Sequence, residues 1–427
     1  MPRAQYPKSG GQTGWKEVTA MTQTSIAETT PRVKGLIASL GQSMFSLSFD
    51  FGGMLAGTLL AVYFGVFSLA PWTLALFPGI LSVRGSIGGL FSGRLSTGLH
   101  LGTVKASYTK NTKNFYLILR AIIVLSLVSG VTIGLGTSIF GLFLWKATIT
   151  DFVEVLAVVI ATMGLSVLFI PPITTAVSVL SFRRGLDPDV TVYPIISTVS
   201  DIIDTACYIF SLNIFFTLAP FGRYLIWLLD FVFLFIVVYI LVKNVREEKF
   251  VETIKEFLLT LVFVTFIVSV TGSILVKVGE VIGNRPEIYV VYPALIDTVG
   301  DVGSIVGSTA TTNLALGVVK PSFSSIKQHL SVLGGGWMAS TIMFTLFFIT
   351  ASFMRRITAS GSLLRFAAQL LITNVLAVSA MVIVVYGVAI FTYRRGWDPD
   401  NFVIPIESSL ADSITTLSLF IALTVIV

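Results

Sequence analysis

Eleven stretches long and apolar enough to cross a bilayer follow one another along this chain, and that pattern constrains the fold more than any other feature. A helix crosses about 30 Å of hydrocarbon in about 20 residues. Stretches of that length, set off by polar punctuation, fall at 41–68, 76–103, 116–144, 153–181, 190–218, 224–242, 256–278, 290–318, 332–354, 363–392 and 402–427. Composition agrees: 54% of the 427 residues are AVILMFWYC and 12% are charged, whereas soluble domains run to about 25% charged. The expectation is an all-α polytopic membrane protein. The second and eighth stretches are interrupted by Gly, Ser, Thr and charge, and transporters build sites from such spans.

Charge gives the orientation. With the N-terminal tail inside, eighteen of the 28 Lys and Arg residues fall in inner segments and seven in outer ones, while Arg84, Arg94 and Arg120 lie within spans. Positive-inside bias then predicts a multi-pass protein of the cell membrane with its N-terminus cytoplasmic and its C-terminus extracytoplasmic. The loop carrying Arg355, Arg356 and Arg365 runs against the rule. Topology accounts for the net charge of +6, so no nucleic-acid partner is expected; the lipid bilayer is the partner that composition implies. Cys207 is the single cysteine, and His100 and His329 are the two histidines. A disulfide framework and a His/Cys metal site are therefore excluded, and any metal must be held by oxygen. Residues 1–38 are polar, basic and without a visible signal peptide, and read as a disordered cytoplasmic tail.

The chain also repeats itself. Residues 183–205, RRGLDPDVTVYPIISTVSDIIDT, align without gaps to residues 394–416, RRGWDPDNFVIPIESSLADSITT, with 13 identities in 23 positions. The segment beginning at Pro78 aligns more weakly with that beginning at Pro293, 7 of 25 positions matching, including Pro and three Gly. The expected domains are a tail (1–38), a first five-helix repeat (39–220), a linker span with its loop (221–255) and a second five-helix repeat (256–427). Five spans end on the side opposite their start, so a direct fusion would invert the second half; one extra span makes the repeats parallel. A monomer then supplies both halves of a path.

Acids inside the spans supply the chemistry. A carboxylate at the bilayer centre costs about 2.5–3.5 kcal/mol even on the lenient insertion scale. Asp201 and Asp412 occupy equivalent repeat positions, with Pro194, Ser197 and Thr198 preceding one and Pro405, Ser408 and Ser409 preceding the other at steps of three or four, which puts them on one helix face. If a pseudo-two-fold axis runs between these helices, the two Asp approach each other and repel unless a proton or cation lies between them. Carboxylate, hydroxyl, carbonyl and water oxygens suit a hard cation such as Mg2+, Mn2+ or Ca2+. Asp50, Asp297, Asp301, Asp204 and Glu407 are further candidate ligands, each present in one half alone. For Asp50 and Asp301 the competing reading is an ion pair with Arg84 or Arg94. Gly85, Gly88, Gly300 and Gly303, with Ser86 beside them, allow either close packing or a locally unwound helix facing an ion path.

At these residues the chain resembles a known family. LDPDVTVYPIISTVSD and WDPDNFVIPIESSLAD are similar to the last membrane helix of the MgtE magnesium channels and the related solute carrier family 41, where a DP loop precedes Pro, Ser/Thr and an ion-binding Asp. FPGILSVRGSIGGLFSGRLSTGLHLG is similar to the second helix of that carrier family. The resemblance spans most of 41–427 and implies divalent-ion transport between two fused repeats, with Asp201 and Asp412 as matched ligands and no enzymatic activity. Where the family has Asn after the second-helix Gly, this chain has Ser86 and Asp301. A tail of about 38 residues is too short for the regulatory domain of the bacterial channels. The alternative function is an H+- or Na+-coupled carrier of a small solute using the same aspartates.

Overall fold

The computed structural model describes residues 32–108, 110–184, 188–282, 285–315, 317, 319–395 and 400–426. Among them there is no strand, and eleven helical segments of 20 to 35 residues are long and apolar enough to span a membrane. The first span, Gly35–Val62, is made of α1 (Arg32–Leu47), a 3-10 turn at Ser48–Gly52 and α2 (Gly53–Val62); the short α3 (Phe64–Phe67) follows. Then come α4 (Pro71–His100), α5 (Lys113–Leu144), α6 (Ile149–Arg183), α7 (Pro188–Thr217), the linker helix α8 (Phe221–Asn244), α9 (Glu248–Ile282), α10 (Pro286–Ala315), α11 (Leu330–Met354), α12 (Ser360–Arg394) and α13 (Asp400–Val425). Most of the expected tail lies outside the described residues.

Local chemistry sets several starts. Pro opens α4, α7 and α10, where its missing N–H costs nothing and its fixed φ suits the first turn. Thr148 and Asp151 form a capping box at the start of α6, the Asp151 carboxylate accepting from the Thr148 amide at 2.7 Å. Linker helix α8 is the most lipid-exposed span, and its buried stripe of Ile226, Phe233, Val237 and Ile240 rests on α5, α6 and α7.

The two halves interlock. The first span packs against α10 and α11 of the second half and touches α7 of its own; α9, the first span of the second half, packs against α4 and α5 of the first half and to the same extent against α13 of its own. Two glycines make this exchange symmetric. A Cβ on Gly57 would stand 2.1 Å from the Val290 carbonyl oxygen, and one on Gly272 would stand 1.9 Å from the Ala75 carbonyl oxygen. Gly57 and Gly272 are 215 residues apart, as are Pro78 and Pro293, and each contacted carbonyl lies three residues before one of those prolines. Only a residue without a side chain lets the backbones approach so closely.

Candidate cation site between the two halves

Four helices, two from each repeat, converge on a cavity of about 60 Å3 near their midpoints. Pro78, Ser82 and Gly85 come from α4, Ser197 and Asp201 from α7, Pro293, Asp297, Gly300, Asp301 and Ser304 from α10, and Glu407, Ser408 and Asp412 from α13. Helical spacing explains the set: Asp297 and Asp301 are one turn apart on the α10 face that carries Pro293 and Ser304, and Asp201 and Asp412 each stand one turn beyond a serine. A water needs about 10–15 Å3 on this measure, so the cavity has room for a handful of waters or an ion with part of its shell.

The acids stand in two tiers. In the first, Asp201 of α7 and Asp297 of α10 stand together in the lining, and Asp412 stands beside them. The Asp412 Oδ2, the Asp297 Oδ2 and the neighbouring Ser82 hydroxyl have no hydrogen-bond partner. A helical turn further along α10, Ser304 donates to Glu407 at 2.7 Å and Ser46 of α1 donates to Asp301 at 3.4 Å. Asp201, Glu407 and Asp412 are buried, while Asp297 and Asp301 are half-buried. None of the described lining residues is basic.

Asp50 lies just off the cavity, in the 3-10 turn that breaks the first span, where it accepts from Thr298 of α10 at 2.6 Å. Gly52 and Gly53 make that approach feasible. A Cβ on Gly52 would overlap the Thr198 methyl, and one on Gly53 would meet the Ala294 amide and an Asp297 oxygen at 2.8 Å each.

The remaining predicted residues divide. Asp204 does not line the cavity; its carboxylate accepts from Arg84 at 3.3 Å, and Arg84 also donates to Ser126 at 2.9 Å. Arg84 therefore serves Asp204 and not Asp50 or Asp301. Thr198 donates to the Phe49 carbonyl at 3.1 Å and Ser86 to the Ser82 carbonyl at 3.0 Å. Ser409 is buried outside the lining. Both helices remain α-helical through Gly85, Gly88, Gly300 and Gly303. Gly85 opens onto empty space, Gly88 has one neighbour at 3.8 Å, and Gly300 and Gly303 are covered by Glu407. Pro194 and Pro405 fall within α7 and α13, but their side chains, like the DPD loops, lie outside what is described. Sequence reading missed Ser82, Ser304 and the pair Pro78 and Pro293 as lining residues; the alignment of Ser82 with Asp297 and of the two prolines was the available signal.

Among the described residues no three His, Cys, Asp or Glu side chains converge as a ready-made cage. Mg2+ does not call for one, since it keeps several waters and binds through one or two carboxylates.

A membrane-embedded, acid-lined cavity shared by two repeated helical halves defines a cation transporter. The profile of the MgtE family, divalent cation transporter, matches residues 77–211 and again 292–422. Together these segments cover more than half of the chain, which belongs to the MgtE family of divalent cation transporters. Both matched segments contain cavity helices, whereas the first span with Asp50, the linker helix and all of α9 lie outside them. No curated protein and no solved structure matches the chain.

Proposed function

We propose that the transported ion is Mg2+ and that it passes through the central cavity, held by Asp201 from one repeat and by Asp297 and Asp412 from the other. The observation that carries this reading is the lining itself: carboxylates from both halves, unpartnered oxygens on Asp297, Asp412 and Ser82, and no basic residue among the described lining. Carboxylates crowded in this way favour whatever positive charge can enter. Asp301 and Glu407 receive the ion a turn away, and Asp50 supports Asp301 from the broken first span.

The size of the cavity supports an ion over the alternative of a proton- or Na+-coupled organic solute. Small-molecule pockets run to about 300–1,000 Å3, well above the 60 Å3 found here. The positive-inside count supports a cytoplasmic N-terminus and an extracytoplasmic C-terminus, with the two repeats parallel about an axis along the membrane normal. Because both repeats lie in one chain, a monomer is sufficient for the path. Flux of Mg2+, Mn2+ and Ca2+ into proteoliposomes, with and without Na+ and pH gradients, tests the reading on wild type and on the Asp201→Asn/Asp412→Asn double variant. Unchanged divalent flux in the double variant would overturn it.

A further inference from the structure

The repeat alignment pairs Glu407, which borders the cavity, with Ile196, which does not line it, so an acid in one half stands where the other has an aliphatic side chain. Ile196 on α7 is buried, with its Cγ2 3.8 Å from where a Cβ on Gly88 would stand. Glu407 on α13 instead lies across the bare face of α10: a Cβ on Gly300 would stand 3.1 Å from Oε1, and one on Gly303 would stand 2.7 Å from Cγ. Its carboxylate accepts from Ser304 at 2.7 Å and borders the cavity. The other neighbour at Gly303 is Met381, an unbranched and adaptable side chain. Glu407 thus has a long stem, a seat of two glycines and a thioether, and a serine to rest on. The aspartates of the first tier have shorter stems.

We propose that Glu407 is a specificity-determining residue that widens the ion range of this chain beyond Mg2+, by swinging from Ser304 to an ion in the cavity. Mg2+ demands near-ideal octahedral geometry and gives up water reluctantly, whereas Ca2+ takes more oxygen ligands at longer, variable distances. A flexible extra carboxylate therefore gains more for Ca2+, and for the readily dehydrated Mn2+, than for Mg2+. The orphaned oxygens of Asp412 and Ser82 in the same cavity mark the place an ion would fill. This inference rests on the cavity being the ion path.

The test is competitive flux in proteoliposomes, reading the ratio of Ca2+ and Mn2+ to Mg2+ transport. Glu407→Ile copies the residue of the other repeat; the Ca2+ to Mg2+ ratio is expected to fall about tenfold, because a flexible ligand is lost. Ile196→Glu adds a second such carboxylate and should move the ratio the opposite way. Ser304→Ala removes the resting place while keeping the ligand, and should lower KM for Ca2+. Unchanged ratios in Glu407→Ile and in Glu407→Gln overturn the proposal, as does an equal loss for all three ions in folded, monodisperse Glu407→Gln. The Asp201→Asn/Asp412→Asn variant separates the two readings: if it still carries ions, the path is elsewhere whatever Glu407 does.

Discussion

Asp201 on α7 stands with Asp297 of α10 in the cavity lining, so the two repeats meet through acids that do not align with each other. The position equivalent to Asp297 in the first repeat is Ser82, whose hydroxyl faces Asp412. Around the axis the pairing is therefore acid to acid on one side and hydroxyl to acid on the other.

On the proposed ion path, that asymmetry should make Asp297 matter as much as the repeated aspartates. A hydrogen bond to a charged group contributes about 1.5–3 kcal/mol, or roughly ten- to hundredfold in affinity. Asp297→Asn is expected to raise the KM for Mg2+ by that factor, matching Asp201→Asn. Residues that share one ion or proton are not additive, so Asp201→Asn/Asp297→Asn should cost much less than the product of the two single effects. Additive losses in proteoliposome flux would show that the two acids act separately.

The fold's outline was legible because hydropathy and span length are local properties; partner choice is not. Spacing placed Asp50 on the first span and therefore in the first half. The structure sets it against Thr298 of α10, in the second. Of the acids that differ between repeats, Asp297, Asp301 and Glu407 line the cavity from the second half with Asp50 just off it and Asp204 held by Arg84, while the first repeat contributes Asp201 with the neutral Ser82, Gly85 and Ser197. A helical period says which face is apolar and nothing about which helix covers it. The common displacement of Gly57 and Gly272 from Pro78 and Pro293 was the signal within reach, and Gly52-Gly53 beside Asp50 was another.

Glycines at the crossing and glycines at the cavity should respond differently to the same methyl group. Gly57→Ala and Gly272→Ala each drive a Cβ into a carbonyl of the other half, and overpacking of this kind costs about 1–3 kcal/mol. Both variants should melt at lower temperature in detergent. Gly85→Ala meets nothing within 4 Å, so its melting point should hold while its flux falls, because the added methyl occupies cavity volume. A stable Gly57→Ala protein would contradict the close approach.

Arg84 and Asp204 form a structural pair, with side chains 2% and 0% exposed. Removing one partner of a buried pair leaves an uncompensated charge and costs about 3–5 kcal/mol, whereas replacing both is often neutral. Arg84→Gln should abolish stable expression, and Arg84→Gln/Asp204→Asn should restore both fold and divalent flux. Rescue of fold without flux would mean that the pair also serves the ion.

The interlocked first spans make a prediction about folding of the halves. Residues 1–246 contain the first span, but its main partners, α10 and α11, are in the other fragment; residues 247–427 contain α9 with α13, but two of its three main partners, α4 and α5, are missing. Each fragment alone therefore presents a helix without most of its seat and a seat without its helix. In a bilayer there is little hydrophobic drive to bring mismatched helices together, and close packing with interhelical hydrogen bonds must hold them. Expressed singly, the fragments should be degraded or aggregate. Expressed together, they should assemble and recover Mg2+ flux, since the cut falls in the short link between α8 and α9, away from the cavity. A monodisperse, protease-resistant single fragment would show that one repeat can fold on its own spans, and the exchange would then be incidental to stability.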